Sequence, residues 1–241
     1  ADMIMGETAE LLARELGISR AEQDVFAHQS QQKAAAAWDE GAFAAEIAPV
    51  TVESKKGSIS FARDEHPRPD TTLASLGALK PVFDRKTGTV SAGNSSGITD
   101  GAAALVLTTA REAAARGWKP LARFLDAQLV GCDPKRMGLG PVPATVALFQ
   151  RHGWSVDDFD LFELNEAFAA QVLACLRELP FPRERLNVHG GAIALGHPIG
   201  CTGARMVVTL LHALQRRSQK RGLATLCVSG GLGMTSAWEL V

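Results

Sequence analysis

The sequence predicts an α/β fold built in layers, and three observations support that prediction. The chain has 241 residues, of which 46% are apolar and 21% charged, as is typical of a soluble globular protein with a sizeable core. Apolar runs of strand length alternate with stretches of helical periodicity. Glycine and proline turns separate them. This alternation is typical of a sheet covered by helices.

In the first third of the chain, the sequence pattern predicts two helices, two short strands and an exposed loop. Apolar residues spaced by three and four predict a helix that Gly17 ends. Ser19 stands three residues before Glu22, and this capping box predicts the start of a second helix. The elements predicted here are a helix up to Gly17, a helix reaching about Trp38, strands at 47–52 and 58–61, and a proline-marked loop at 63–72.

The remaining residues predict the layered part of the fold. The continuous apolar run Ala102–Leu107 is typical of a buried strand. A proline-marked loop follows the strand predicted at 122–130. The predicted helices are 110–116, 144–152, 165–179 and 202–217, and the other predicted strands are 159–163, 224–228 and a closing strand after residue 229.

Charge and composition exclude several classes of function. A formal net charge of −1 gives no support for binding nucleic acid or an anionic membrane. No apolar run reaches about 18 residues, so we expect no membrane span. The first fourteen residues are mixed and acidic, unlike a secretion signal, so we expect a cytoplasmic protein.

Four cysteines lie far apart in the sequence. They form no CxxC pair and have no histidine at zinc-finger spacing, so we expect no metal site. We interpret them as reduced thiols. The four are Cys132, Cys175, Cys201 and Cys227.

Glycines flank a histidine in the segment Gly190–Arg205. Glycine allows a backbone to approach a ligand closely, and Pro198 fixes the direction of the chain just after His197. A helix predicted to begin near Thr202 would turn its free N–H groups toward this loop. On composition alone, His197 is either a general base or a hydrogen-bonded structural residue.

Two further segments contain potentially reactive side chains. Cys227 ends a predicted strand just before a glycine turn, so it is either a core thiol or a reactive thiol at the sheet edge. Asn165 lies where a strand meets a helix, so it is either an N-cap or an amide that polarises a carbonyl. Together with His197 these are the groups needed for carbon–carbon bond chemistry on a thioester.

The motifs that contain these residues resemble those of the thiolases. The resemblance extends in order over essentially the whole chain, and the glycine–histidine motif is its most specific part. The motifs are Met5-Gly-Glu-Thr-Ala-Glu, Ala92-Gly-Asn-Ser-Ser-Gly, Asp100-Gly-Ala-Ala-Ala, Asn165-Glu-Ala-Phe, Gly190-Gly-Ala-Ile-Ala-Leu-Gly-His-Pro-Ile-Gly, and Cys227 before its glycine turn. Membership of this family implies a coenzyme-A-dependent acyltransferase that cleaves 3-ketoacyl-CoA or condenses acetyl-CoA, as in fatty acid metabolism.

The resemblance also implies roles for individual residues. His197 matches the histidine that activates the nucleophile, Cys227 the acid/base cysteine, and Asn165 the asparagine of an oxyanion hole. Five positions match the lining of the CoA or pantetheine channel: Met5, Arg68, Ala92, Ser96 and Phe168. Arg68 is equally well explained as an exposed loop arginine. Coenzyme A is expected as a substrate, with no permanently bound cofactor.

Thiolases have a five-layer α-β-α-β-α core made of two similar halves. On that map, residues 1–96 are an incomplete loop domain that binds CoA, 97–118 end the N-terminal half, and 119–241 are the C-terminal half. No cysteine here matches the family's nucleophile, so we expect the chain to lack the segment that bears it. The apolar residues of 97–118 would then be exposed and invite association.

Two alternatives to a working thiolase stay open. The chain is expected to work with acyl-CoA, an N-terminal thiolase half or chain, and further copies of itself. It could instead be a non-catalytic fragment that binds CoA or a partner. A ketoacyl-synthase-like condensing enzyme is a weaker alternative, because the glycine context of Cys227 argues against it.

Overall fold

A computed structural model describes residues 2–55 and 57–241 of the chain. Its helices are α1 (Met5–Glu15), α2 (Arg20–Asp39), α3 (Leu73–Gly77), α4 (Ala110–Ala115), α5 (Pro141–His152), α6 (Ala169–Glu178), α7 (Ala192–Leu195) and α8 (Thr202–Arg216). Its strands are β1 (Val50–Ser54), β2 (Gly57–Phe61), β3 (Ala122–Gly131), β4 (Leu161–Leu164), β5 (Arg221–Val228) and β6 (Leu232–Leu240). Two 3₁₀ turns cover Pro134–Leu139 and Val156–Asp158.

A four-stranded sheet organises the second half of the chain. Its strand order is β3-β6-β5-β4, with β5 antiparallel to β6 and parallel to β4. Helix α8 covers one face, where Met206 and Leu210 pack against Leu161 and Trp238. Helices α5 and α6 cover the other face. The predicted layered α/β fold is therefore confirmed.

The N-terminal helices pack against α6 and start and stop as the sequence predicts. Ser19 Oγ accepts a hydrogen bond from the Glu22 amide at 3.2 Å, and Glu22 Oε2 accepts one from the Ser19 amide at 2.7 Å. This reciprocal pair is the predicted capping box. Gly17, with φ of +62°, lies just after α1 in a left-handed conformation that glycine adopts without strain.

The strand predicted at Ala102–Leu107 is absent. This stretch belongs to no helix or strand, and Val106 and Leu107 are 85% and 71% exposed. The prediction was wrong because an apolar run becomes a strand only when another strand accepts its backbone hydrogen bonds. Within the described part of the chain, no strand of the sheet pairs with it. The expected exposure of apolar residues in this region is observed.

The helix predicted from Asn165 begins only at Ala169, so Asn165 is not an N-cap. The residues between β4 and α6 are extended because tertiary hydrogen bonds hold them. The Asn165 amide donates to the Thr225 carbonyl at 3.0 Å, and the Ala169 amide donates to the Asn94 carbonyl at 2.9 Å. These bonds outweigh the helical pattern of the sequence.

In the described residues, no helix is both long enough and apolar enough to cross a lipid bilayer.

Candidate active site

The candidate site lies at the carboxyl ends of the parallel strands β4 and β5. Asn165 directly follows β4, and its amide continues the pairing with β5 by binding Thr225. Cys227 lies two residues beyond Thr225 on β5. Ligands of open α/β sheets commonly bind at this edge.

The glycine loop brings His197 to the same edge. Its Nε2 atom lies 3.4 Å from Asn165 Nδ2, and its backbone amide donates to the Gly97 carbonyl at 2.8 Å. Gly196, just before it, has φ of +93°, and a Cβ there would lie 2.5 Å from the Thr99 side chain. Both observations require glycine at this position.

Thr202 determines which ring nitrogen of His197 is free. The Thr202 hydroxyl donates to the Pro198 carbonyl at 3.0 Å, so its oxygen accepts the Nδ1–H of His197, which lies 2.6 Å away. The lone pair of the neutral ring is then on Nε2, facing Asn165. Burial, and after it the charge of Arg205, lowers the pKa of His197, which favours the neutral imidazole.

Asn165 has an unsatisfied atom in this buried setting. It is 1% exposed, and Oδ1 has no hydrogen-bond partner among the residues that the structure describes. Buried amide oxygens usually have a partner, so an orphaned one points to a bound water or ligand group. Its Nδ2 atom faces His197 Nε2, so both polar groups of the amide lie on the histidine side of this edge or next to it.

Cys227 lies in apolar surroundings. It is 9% exposed and packs with Met137, Ala167 and Phe168. Burial raises the pKa of its thiol to about 12, so the sulfur keeps its proton. This packing is compatible with both interpretations of Cys227, as a core thiol and as a proton donor.

Of the five expected channel residues, Phe168 packs against the cluster that contains Cys227, and Ser96 binds Ala167 of that cluster. The Ser96 amide and hydroxyl both donate to the Ala167 carbonyl, at 3.0 and 3.1 Å. Phe168 is half-buried and contacts Phe83 edge-on, with ring centroids 6.1 Å apart. The loop before Gly97 and the chain after β4 therefore form one wall.

Met5 and Ala92 are exposed near the same wall. Met5 is 41% exposed and precedes Gly6, where a Cβ would overlap the Phe83 ring. Ala92 is in a loop that Asn94 anchors, with Nδ2 donating to Asp24 at 2.9 Å.

Arg68 lies on a separate loop, with an exposed side chain and an amide that donates to Gln31 Oε1 at 2.9 Å. Among the described residues, Phe168 packs with Cys227 and Ser96 binds the neighbouring Ala167, whereas the described contacts of Arg68 include none with His197, Asn165 or Cys227.

Three residues that sequence reasoning missed support this geometry. Thr202 fixes the tautomer of His197, and Glu166 binds the glycine loop. His66 Nδ1 donates to the Ala194 carbonyl in the same loop at 2.9 Å. Thr202 and Glu166 are polar residues inside motifs that were already recognised, which is the signal that could have found them.

The other three cysteines show no activated thiol. Burial raises the pKa of Cys132, Cys175 and Cys201 above the ordinary value. Cys175 is fully buried, as expected for a core residue, while Cys132 and Cys201 are partly exposed. None of them has the lowered pKa that marks a nucleophilic cysteine.

Comparison with known proteins identifies related chains. Residues 1–111 match the family model of the thiolase N-terminal domain, and residues 118–239 match that of the thiolase C-terminal domain. The chain is 54% identical over 235 residues to the acetyl-CoA acetyltransferase of Escherichia coli K12, covering 98% of the chain and 59% of that protein. It is 52% identical over 239 residues to a beta-ketoadipyl-CoA thiolase of Pseudomonas aeruginosa, covering 98% and 59%.

Two solved structures share its fold. The Bacillus anthracis acetyl-CoA acetyltransferase superimposes with a TM-score of 0.97 at 46% identity, covering 99% of this chain and 60% of that one. Human mitochondrial 3-ketoacyl-CoA thiolase in complex with CoA gives a TM-score of 0.89 at 41% identity, covering 98% and 59%.

The chain spans about 60% of the length of these relatives. The expectation that the chain is a C-terminal part lacking the nucleophile-bearing N-terminal half needs partial correction, because residues 1–111 match the N-terminal domain and residues 118–239 the C-terminal domain. The boundaries at residues 96 and 118 stay a prediction. With both family models matched and the fold shared at 46% identity, this chain belongs to the thiolase family.

Proposed function

We propose that the chain supplies the general base, the oxyanion site and the acid/base thiol of a CoA-dependent thiolase. The reaction would be thiolytic cleavage of a 3-ketoacyl-CoA, or its reverse, the condensation of acetyl units. The observation that supports this most directly is His197 Nε2 facing Asn165 Nδ2 at 3.4 Å, with Nδ1 held by Thr202.

The neutral His197 ring is suited to accept a proton. Its free Nε2 would take the proton of an attacking thiol, and the resulting thiolate would form the new carbon–sulfur bond. Throughout the reaction, the Nδ1–H keeps its hydrogen bond to the Thr202 hydroxyl, so the imidazole ring does not need to rotate. Burial raises the pKa of all four thiols of the chain, so we propose that the attacking thiol is CoA itself or a cysteine supplied from outside this chain.

Asn165 would act on the thioester oxygen. Its Nδ2–H, directly or through a water that also meets His197, would stabilise the negative charge that develops on that oxygen. One such donor contributes about 3 kcal/mol to transition-state stability in comparable sites. The unpartnered Oδ1 would accept a hydrogen bond from a second water or from a donor group of the substrate.

Cys227 would donate a proton to C2 of the substrate in cleavage and remove one from C2 in condensation. When the C2–C3 bond of the 3-ketoacyl group breaks, its electron pair stays on C2, and the Cys227 thiol donates its proton there. Condensation reverses this step, with the thiolate removing a C2 proton. A pKa of about 12 is appropriate for the donor in the cleavage direction.

Coenzyme A is the proposed substrate carrier, with no permanently bound cofactor. One relative with the same fold was solved in complex with CoA. Ser96 and Phe168 are proposed to line the CoA channel close to Cys227, with Met5 and Ala92 at its border. Arg68 is proposed as a contact farther out, suited to phosphate because of its guanidinium.

A non-catalytic role, binding CoA or a partner, is the second candidate. The exposed apolar run Ala102–Leu107 favours it, because such runs usually contact another chain. An N-terminal thiolase half and further copies of this chain are the proposed partners.

The test is acetoacetyl-CoA thiolysis by two proteins. One is the purified chain, and the other is the completed enzyme, in which the chain is joined to the part of the Escherichia coli relative that it does not span. We expect turnover in the completed enzyme, and a loss of about 10³-fold on His197→Ala. An inactive, folded completed enzyme that still binds CoA would support the binding role, and unchanged turnover in His197→Ala would refute the assigned base. Turnover by the chain alone would show that no cysteine from outside the chain is needed, because either CoA attacks the keto carbon directly or one of the chain's own cysteines accepts the acyl group.

A further inference from the structure

Glu166 is a buried carboxylate that the proposed chemistry does not use. It directly follows Asn165 in the sequence and is 1% exposed. Taking a carboxylate out of water is costly unless hydrogen bonds compensate it. Because Glu166 is buried and directly follows Asn165, its hydrogen-bond partners affect the structure around the candidate site.

Three donors surround the Glu166 carboxylate. Oε2 accepts the Ser30 hydroxyl at 2.6 Å and the Ile193 amide at 3.2 Å, and Oε1 accepts Asn187 Nδ2 at 2.8 Å. Burial raises the pKa of Glu166, while these hydrogen bonds and the charge of Lys33 oppose that rise. Because all three neighbours donate, the ionised form satisfies every one of them.

The partners of Glu166 belong to the loop that ends in His197. Ile193 is in α7, four residues before His197. The Gly191 amide donates to Ser30 Oγ at 3.0 Å, so the serine extends the contact of the carboxylate along the loop. A Cβ at Gly191 would lie 2.2 Å from the carboxylate carbon, so the loop backbone rests directly on Glu166.

The same carboxylate is tied to the strand that bears Asn165. Asn187 Nδ2 also donates to the Leu164 carbonyl at 2.9 Å, and Asn187 Oδ1 accepts the Leu164 amide at 2.9 Å. Glu166 therefore connects the end of β4 with the start of the histidine loop. The 3.4 Å approach of the two catalytic side chains spans this same junction.

We propose that Glu166 is a positioning residue that sets the distance and orientation of His197 relative to Asn165. It acts through the backbone of the glycine loop and touches neither reacting atoms nor substrate. That this positioning serves catalysis rests on the proposed function, whereas the positioning itself is a property of the chain.

Replacement of Glu166 by glutamine tests this with a minimal change in shape. If the amide nitrogen takes the place of Oε2, the Ile193 amide loses its acceptor; if it takes the place of Oε1, it faces Asn187 Nδ2. Either way one buried donor is left unpaired. We expect the loop to loosen and His197 to become more solvated.

The measurement is ¹⁵N NMR of histidine-labelled chain, with His197 assigned by His197→Gln. In Glu166→Gln we expect the pKa of His197 to move up toward its ordinary value, and exchange of the His197 amide to accelerate at least 10-fold. The positive charge of Arg205 lowers the pKa of His197. Arg205 itself interacts electrostatically with three acidic residues, Glu163, Glu46 and Asp64. The substitution alters none of these four residues.

The matched control is Glu239→Gln. Glu239 is 7% exposed and binds Arg221 at 2.8 Å, and it lies at the opposite end of β6 from the site. The Glu239→Gln variant should have a lower melting temperature but unchanged His197 NMR signals. If Glu166→Gln fails to fold, Ser30→Ala, which removes one donor and the bridge to Gly191, takes its place in the same measurement.

The outcomes separate the two proposals. Unchanged His197 pKa and amide exchange in the folded variants would overturn the positioning role, whatever the activity. A completed enzyme without thiolysis, combined with the expected NMR shifts, would overturn the proposed function and leave the positioning intact. In an active completed enzyme, Glu166→Gln should lower kcat 10- to 100-fold with KM within about 3-fold.

Discussion

His197 and Cys227, which we assign to one proposed site, are held by opposite means. Hydrogen bonds fix His197 at its backbone amide and at Nδ1, and Asn165 faces its Nε2. Cys227 is held by apolar packing against Met137 and its neighbours. The hydrogen bonds orient the proposed base toward its proton, whereas burial keeps the proposed donor in its protonated thiol form. The two surroundings shift the two pKa values in opposite directions: the pKa of His197 is lowered, and that of Cys227 is raised.

The largest effect is expected from removing the buried thiol. Cys227→Ala in the completed enzyme should lower kcat for thiolysis by about 10³-fold, because the carbanion left on C2 loses its proton donor. Stability should fall by only about 1 kcal/mol, since a small side chain replaces another in an apolar site. Steady-state kinetics and urea unfolding measure the two quantities.

Cys175→Ala is the control for that variant. Cys175 is also a fully buried thiol, and it donates to the Gly138 carbonyl at 3.1 Å, within the packing of α6. It should lose stability and retain its rate. Equal rate losses in the two variants would show that burial of a thiol, and not proton transfer by Cys227, explains the effect.

A smaller effect is expected from releasing the orientation of the base. Thr202→Val keeps the shape but removes the acceptor of the Nδ1–H, so the other tautomer becomes populated and kcat/KM should fall about 10-fold. Thr202→Ser keeps the hydroxyl and should stay near the parent rate. A valine variant as active as the serine variant would contradict the assigned tautomer.

The smallest effect is a displacement of the pH profile. Since burial and Arg205 lower the pKa of His197, the ring stays neutral below its ordinary value of about 6.5. The acid limb of kcat/KM should therefore lie below pH 6.5, and Arg205→Met should move it upward. The same shift makes folding less favourable as the pH falls below 6.5, because the unfolded chain then binds the proton more readily. An acid limb above pH 6.5 would exclude His197 as the titrating base.

Local chemistry made much of this molecule predictable. The Ser19 capping box, the turn at Gly17 and the glycine loop depend on residues close in sequence, so their patterns suffice. The proximity of His197 to Asn165 was predicted only through resemblance to a family. It arises from tertiary contacts that no short pattern encodes.

The wrong predictions also arise from tertiary contacts that short sequence patterns do not encode. Ala102–Leu107 has the composition of a strand, yet strand formation needs a partner that composition does not reveal. Asn165 has the residue type of an N-cap, yet bonds to Thr225 hold it in the sheet. Glu166 went unnoticed because a glutamate in a short motif does not show which distant donors will surround it.

The run Ala102–Leu107 has a practical consequence for handling the protein. Val106 and Leu107 are exposed on a backbone that, within the described residues, pairs with no strand of the sheet, and exposed apolar residues of this kind favour intermolecular cross-β pairing. In concentrated solution this stretch is where aggregation would start. A single gatekeeper charge in place of Val106, which is 85% exposed, would interrupt that growth without touching the core.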